Sequence, residues 1–139
     1  MKKQLQDFKN NTFIEIEYDE ENGWIYNRWS GLITMNDIKK GALACLEVLE
    51  EKKVKVIVND HTKLITKWDS INDWLAKEWI PRAMESGLEC FAHVVNPIHH
   101  IGESAAMAMK ERVAENFRME IFHTIDDAKY WIENHECKD

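Results

Sequence analysis

The stretch KVKVIVNDHTKLITKWDSINDWL, residues 53–75, decides how this chain is read. Val54, Val56, Ile57 and Val58 make a short, nearly continuous apolar strand, the pattern of a strand covered on both faces. Asn59, Asp60 and His61 are expected to end it, and a loop then brings Asp69 and Ser70 to the start of a helix. In open α/β sheets, a strand end, loop and helix start in that order mark the edge at which ligands, phosphates and partners meet the fold.

Outward from this stretch the elements alternate. Ile14, Ile16 and Tyr18 fall on one face of a strand and Glu15 and Glu17 on the other. Asn22-Gly23 then predicts a tight turn into an aromatic-rich returning strand, Trp24 to Trp29. Thr34, with Asp37 three residues on, predicts a capped helix whose apolar stripe is Ile38, Ala42, Cys45, Leu46 and Leu49. Beyond residue 58, Ser70 is expected to open a second helix with Asp73 at the same capping spacing. Pro81 should kink or break that helix, and Gly87 should end it. Strands at Cys90 to Val95 and Met119 to His123 flank a helix at Gly102 to Glu115, and Thr124 caps a last helix. The pattern predicts an α/β fold: a single mixed, mostly parallel five-stranded sheet with an N-terminal hairpin and four helices, in the order β-β-α-β-α-β-α-β-α. The expected domain covers residues 13–135, with an extension over 1–12 and a tail over 136–139.

The 139 residues suit one domain. A net charge of −7 argues against nucleic-acid partners, which attract basic surfaces. No apolar run approaches the roughly 20 residues of a membrane span, and MKKQLQDFKNN shows no apolar leader core, so a cytoplasmic protein without an integral membrane segment is expected. Three cysteines (Cys45, Cys90 and Cys137) without C-x-x-C spacing argue against both a disulfide framework and a zinc site.

The element order resembles that of the STAS domain, and more closely the SpoIIAA-like group, whose fold is shared with CRAL-TRIO lipid-transfer domains. The resemblance covers roughly Phe13 to Asn134. It rests on WSG-x-x-T (Trp29, Ser30, Gly31, Thr34), the strand ending at Asp60, WL-x-x-EWIPRA (Trp74 to Ala83), Gly87, and A-x-x-WI (Ala128 to Ile132). It implies a non-enzymatic regulatory or protein-interaction domain, with a homodimer possible. It also implies that a serine after an aspartate at the second helix, here Asp69-Ser70, is a phosphorylation switch. The competing reading of Ser70 is a plain N-cap. Candidates for partner binding or switching are Asp60, Trp68, Asp69 and Ser70. The alternative function is a carrier or sensor of a lipid or other small apolar ligand, as the CRAL-TRIO likeness implies, with a pocket lined by Trp74, Trp79, Met84, Met107 and Phe122.

Cys90 and His93, three apart in a strand, point to opposite faces and cannot form a dyad. Asp60 reads as a strand-end acceptor or as a base beside His61, without a nucleophile or glycine-rich loop to complete a mechanism, so no catalytic residue is assigned. His61, His99, His100 and His123 fall near strand ends, where imidazoles could hold a metal or anion. Lacking any H-E-x-x-H spacing they read as solvated loop residues, and no metal or cofactor is expected. The chain's six tryptophans leave Trp24, Trp29 and Trp68 to either the core or a face that binds an apolar ligand or second subunit.

Overall fold

In the computed structural model of the chain, which describes residues 1–98 and 100–134, six strands form one mixed sheet. They are β1 (Lys2–Gln6), β2 (Thr12–Asp19), β3 (Trp24–Gly31), β4 (Val56–Leu64), β5 (Cys90–Val94) and β6 (Arg118–Phe122), lying side by side in chain order. β1, β2 and β3 pair antiparallel, whereas β3 to β6 pair parallel. One expectation is thereby corrected: the sheet has six strands, not five. It is mixed, with three parallel pairs to two antiparallel. The extra strand comes from the stretch read as an extension. KKQLQ carries one apolar residue in five, as suits an edge strand that buries little and is guarded by lysines, so it leaves almost no apolar signal.

Four helical segments cover the sheet. α1 is Met35–Lys52, α3 is Glu103–Val113 and α4 is Ile125–Asn134. Between α1 and α3, residues 69–85 form one irregular helical run, α2. It starts as a 3₁₀ turn (Asp69–Ile71), continues through Asn72–Trp74, widens to a π-helix over Leu75–Trp79 and returns to α over Ile80–Glu85. The Ile80 N–H donates to the Leu75 carbonyl, five residues back. This wide turn immediately precedes Pro81, which has no N–H to give, so the helix absorbs the proline by widening, where a kink or break was expected. None of the described helices is long and apolar enough to cross a membrane.

Side-chain alternation assigns the two faces. Ile14, Ile16, Ile25, Trp29 and Ile57 turn to one side and pack with α1, α2 and α3. Trp24, Tyr26, Val56, Val58, Cys90, Ala92 and Val94 turn to the other, where Ala128 and Ile132 of α4 cover them. The capping box at Thr34 is formed in both directions, and Thr124 Oγ1 accepts from the Asp127 N–H at 3.1 Å, as their spacings predict. Within α1, a side chain at Gly41 would run into the ring of Trp29 and the end of Ile14, so glycine lets the indole lie against the helix. Cys45 is a free buried thiol. Cys90 is buried but disulfide-bonded, which corrects the reading of unpaired cysteines; Cys137 lies outside the described residues.

The decisive stretch itself behaves differently from expectation. β4 does not stop at Val58 but runs on to Leu64, so Asn59, Asp60 and His61 are buried mid-strand residues. Alternation then sends Asn59 and His61 to the three-helix face and Asp60 to the α4 face. The β3–β4 register shifts between Arg28 and Ser30, next to His61. Such a bulge re-aims local side chains, and here the Asp60 carboxylate closes it by accepting from the Thr62 N–H at 2.9 Å.

Candidate functional site

Each of three central strands places a polar residue inward where its neighbours are apolar: Asn27 on β3, Asn59 and His61 on β4, His93 on β5. All four are buried. They meet at one side of a cavity of about 80 Å³, whose other walls include Trp29, Trp68, Trp79, Phe91, Met109 and Phe117. A cavity needs roughly 10–15 Å³ by this measure to hold one water. The space therefore suits several waters or a compact organic molecule, and is too small for a long-chain lipid.

The hydrogen bonds around Asn59 fix the protonation of both histidines. Trp29 Nε1, which can only donate, gives its hydrogen to Asn59 Oδ1 at 2.8 Å. That orients the amide, so Asn59 Nδ2 faces His61 Nε2 at 3.0 Å and His93 Nδ1 at 3.2 Å. An amide nitrogen has two hydrogens and no lone pair to offer, so both of those imidazole nitrogens must accept. Burial holds both rings neutral: His61 titrates well below the usual imidazole range, with His93 adding to the shift, and His93 is pushed down to about 3. A neutral ring that accepts at one nitrogen carries its hydrogen on the other. The tautomers are thus Nδ1–H for His61 and Nε2–H for His93. Both nitrogens are buried and without a partner among the described residues, as is the Asn27 carbonyl oxygen. Asn27 Nδ2 is spent on Cys45 Sγ at 3.1 Å, and burial pushes that thiol up to about 12. The rings of His61 and His93 lie edge to face at 4.4 Å between centroids, and both residues line the cavity.

The residues singled out in the sequence scatter. Of the five expected to line a pocket, only Trp79 reaches the cavity; its Nε1 donates to the Ala42 carbonyl at 2.8 Å and ties α2 to α1. Trp74 is half-buried at the core margin, and Met84 and Met107 are exposed. Phe122 packs against Trp131 on the opposite face of the sheet. Asp60, also on that face, accepts from the Tyr26 hydroxyl at 3.0 Å, and burial first, then the Asp60 charge, raises the Tyr26 pKa. It is a structural acceptor, turned away from His61. Trp24, Trp29 and Trp68 are all buried, so they form no surface aromatic face.

Trp68, Asp69 and Ser70 do stay together at the start of α2. Trp68 is buried and lines the cavity, and its indole packs where a side chain at Gly102 would stand. Asp69 accepts from Ser104 Oγ at 3.2 Å. Ser70 is exposed, and the residue at the N-cap position is Trp68, which makes no side-chain capping bond. The capping role expected of Ser70 is therefore absent. Ser70→Ala should change stability by less than about 0.5 kcal/mol in urea unfolding, as at an ordinary surface position; a loss of about 1 kcal/mol or more would restore the cap.

The histidines expected near strand ends divide likewise. His61 is the buried cavity residue. His99 lies outside the described residues. His100 and His123, on a loop and just past β6, converge on Glu103 at the start of α3. Glu103 Oε2 lies 3.1 Å from His100 Nδ1, and Oε1 lies 2.6 Å from His123 Nε2. The hydrogen bond from His123 is the main cause holding the Glu103 carboxyl below its usual range.

Comparison with known proteins adds no assignment: no family model, curated protein or solved structure matches this chain.

Proposed function

We propose that this chain is a non-enzymatic binding module, a carrier or sensor that takes a compact, largely apolar molecule bearing a hydrogen-bond acceptor such as a carbonyl or carboxylate. One observation carries the reading: two buried imidazole N–H groups, locked as donors by Asn59, have no acceptor among the described residues, and both histidines line a largely apolar cavity. Leaving a buried donor unmade costs about 1–3 kcal/mol, so whatever fills the cavity is favoured if it accepts there. The apolar walls supply the remaining affinity through burial. This narrows the carrier reading implied by the resemblance from lipids to small ligands.

Trp29, Trp68 and Trp79 line the cavity, so tryptophan emission should report occupancy. One-ring probes of matched size, toluene and acetophenone, test the donors directly. Acetophenone is expected to bind at least about tenfold more tightly, the worth of about one hydrogen bond and a satisfied donor. Equal affinities would mean that the imidazole donors take no part in binding, and no binding of either that the cavity holds only water. Native mass spectrometry of freshly purified protein then looks for the resident molecule.

The partner-binding reading implied by the STAS resemblance has its own observation, the exposure of Asp69 and Ser70 beside α3. In that reading ligand occupancy and partner binding meet at Trp68, which lines the cavity and directly precedes both residues.

A further inference from the structure

We infer that His100, Glu103 and His123 form a surface site for a divalent transition-metal ion of the zinc type, separate from the cavity lined by His61 and His93. Each residue offers one ligand atom, and the three atoms all lie within 4.8 Å of one another. In a tetrahedral zinc site, with bonds of about 2.0–2.2 Å, neighbouring ligand atoms stand roughly 3.3–3.5 Å apart. The carboxylate oxygens are already 3.1 Å and 2.6 Å from the two imidazole nitrogens. An ion therefore fits after movements smaller than a bond length. All three side chains are at least partly exposed, so those movements meet little packing resistance.

The donor set favours the same class of ion. Two imidazoles with one carboxylate suit zinc, nickel and copper, whereas calcium and magnesium take oxygen ligands. Three protein ligands on a four-coordinate ion leave one position for water or another ligand. The ligands also come from three places in the chain: the loop after β5, the first residue of α3 and the residue after β6. Binding would pin the start of α3 to the end of the last strand. Without metal, the same atoms make the two His–Glu hydrogen bonds already described, which keeps the cluster assembled.

The test is calorimetric titration of the untagged full-length protein with zinc sulfate alone. One ion per chain is expected at neutral pH, with thermal unfolding shifted upward in its presence. Glu103→Gln preserves hydrogen-bonding capacity toward both imidazoles but replaces the carboxylate with a poor ligand. It should weaken zinc binding by at least about tenfold while leaving the metal-free melting curve unchanged. His123→Ala should weaken binding at least as much. Cobalt(II) in place of zinc should give the visible absorption of a four-coordinate ion, and lose it in both variants. Absence of a one-to-one site, or a site whose affinity is the same in Glu103→Gln and His123→Ala, would overturn the assignment.

Discussion

Asn59→Leu is expected to remove about 3–6 kcal/mol of stability, although the two side chains have similar size. Asn59 gives Trp29 Nε1 its acceptor and gives His61 Nε2 and His93 Nδ1 their donor. Leucine satisfies none of them, and all three rings are buried. Each orphaned group costs about 1–3 kcal/mol, and partial relaxation keeps the total below the simple sum. Against a typical total of about 5–15 kcal/mol this is a large share, and a fold at the low end of that range would unfold. Urea unfolding with an unchanged slope would report it as a shift of midpoint. A loss under about 1 kcal/mol would show that the rings find other partners, and the assignment of the two histidine tautomers would fall with it. Asn59→Asp offers a contrast. A carboxylate keeps the acceptor for Trp29 but makes both imidazoles donate toward position 59, so the nitrogens that Asn59 leaves as donors become acceptors.

Acid should destabilise the fold comparably. His93 is neutral when folded, with its pKa lowered to about 3, and His61 is lowered in the same direction. Unfolded, both rings take up a proton near the ordinary imidazole value of about 6.5. Below that value the unfolded chain binds more protons than the folded one, so stability falls with pH, and the loss is complete only near pH 3. At pH 4.5 His93 alone accounts for about 2 pH units at 1.36 kcal/mol each, roughly 2.7 kcal/mol, and His61 adds to it. Stability measured at pH 7 and 4.5 should show this fall, and His93→Gln, which still offers Asn59 an acceptor, should flatten the dependence by about one proton. An unchanged slope in that variant would mean that the acid sensitivity arises elsewhere, among the carboxylates.

The framework of the fold was legible because its signals are local. The capping spacing of Thr34 and Asp37, the Asn22-Gly23 turn and the apolar runs of β4 and β5 each act over a few residues, and each element stands where those signals put it. The edge strand β1 was missed because an edge buries too little to need apolar residues. The end of β4 was misplaced for the opposite reason. Asn59 and His61 look like loop residues, yet they remain in the strand: Asn59 is met across the sheet by Trp29 and His93, and His61 Nε2 accepts from Asn59 in the same strand. A signal was present, since Asn27, Asn59, His61 and His93 all occupy positions of inward parity on otherwise apolar strands. One such residue is unremarkable. Four on adjacent strands gain meaning only once strand order is known, and order is not a local property. The His100–Glu103–His123 cluster was hidden likewise, because its third member arrives from beyond the next strand.

The order of the strands across the sheet is also their order of synthesis. Each new strand adds to the free edge of those already made, and none must insert between two that have paired. Contacts between elements are accordingly near in sequence, which lowers the loop-closure cost of each pairing and favours rapid assembly. A nascent chain could build this sheet progressively as it leaves the ribosome, N-terminal part first. The cavity, by contrast, draws its walls from Asn27 through Met119. Its lining is complete only once β6 has docked, so a truncated chain could hold much of the sheet while lacking the last part of that wall.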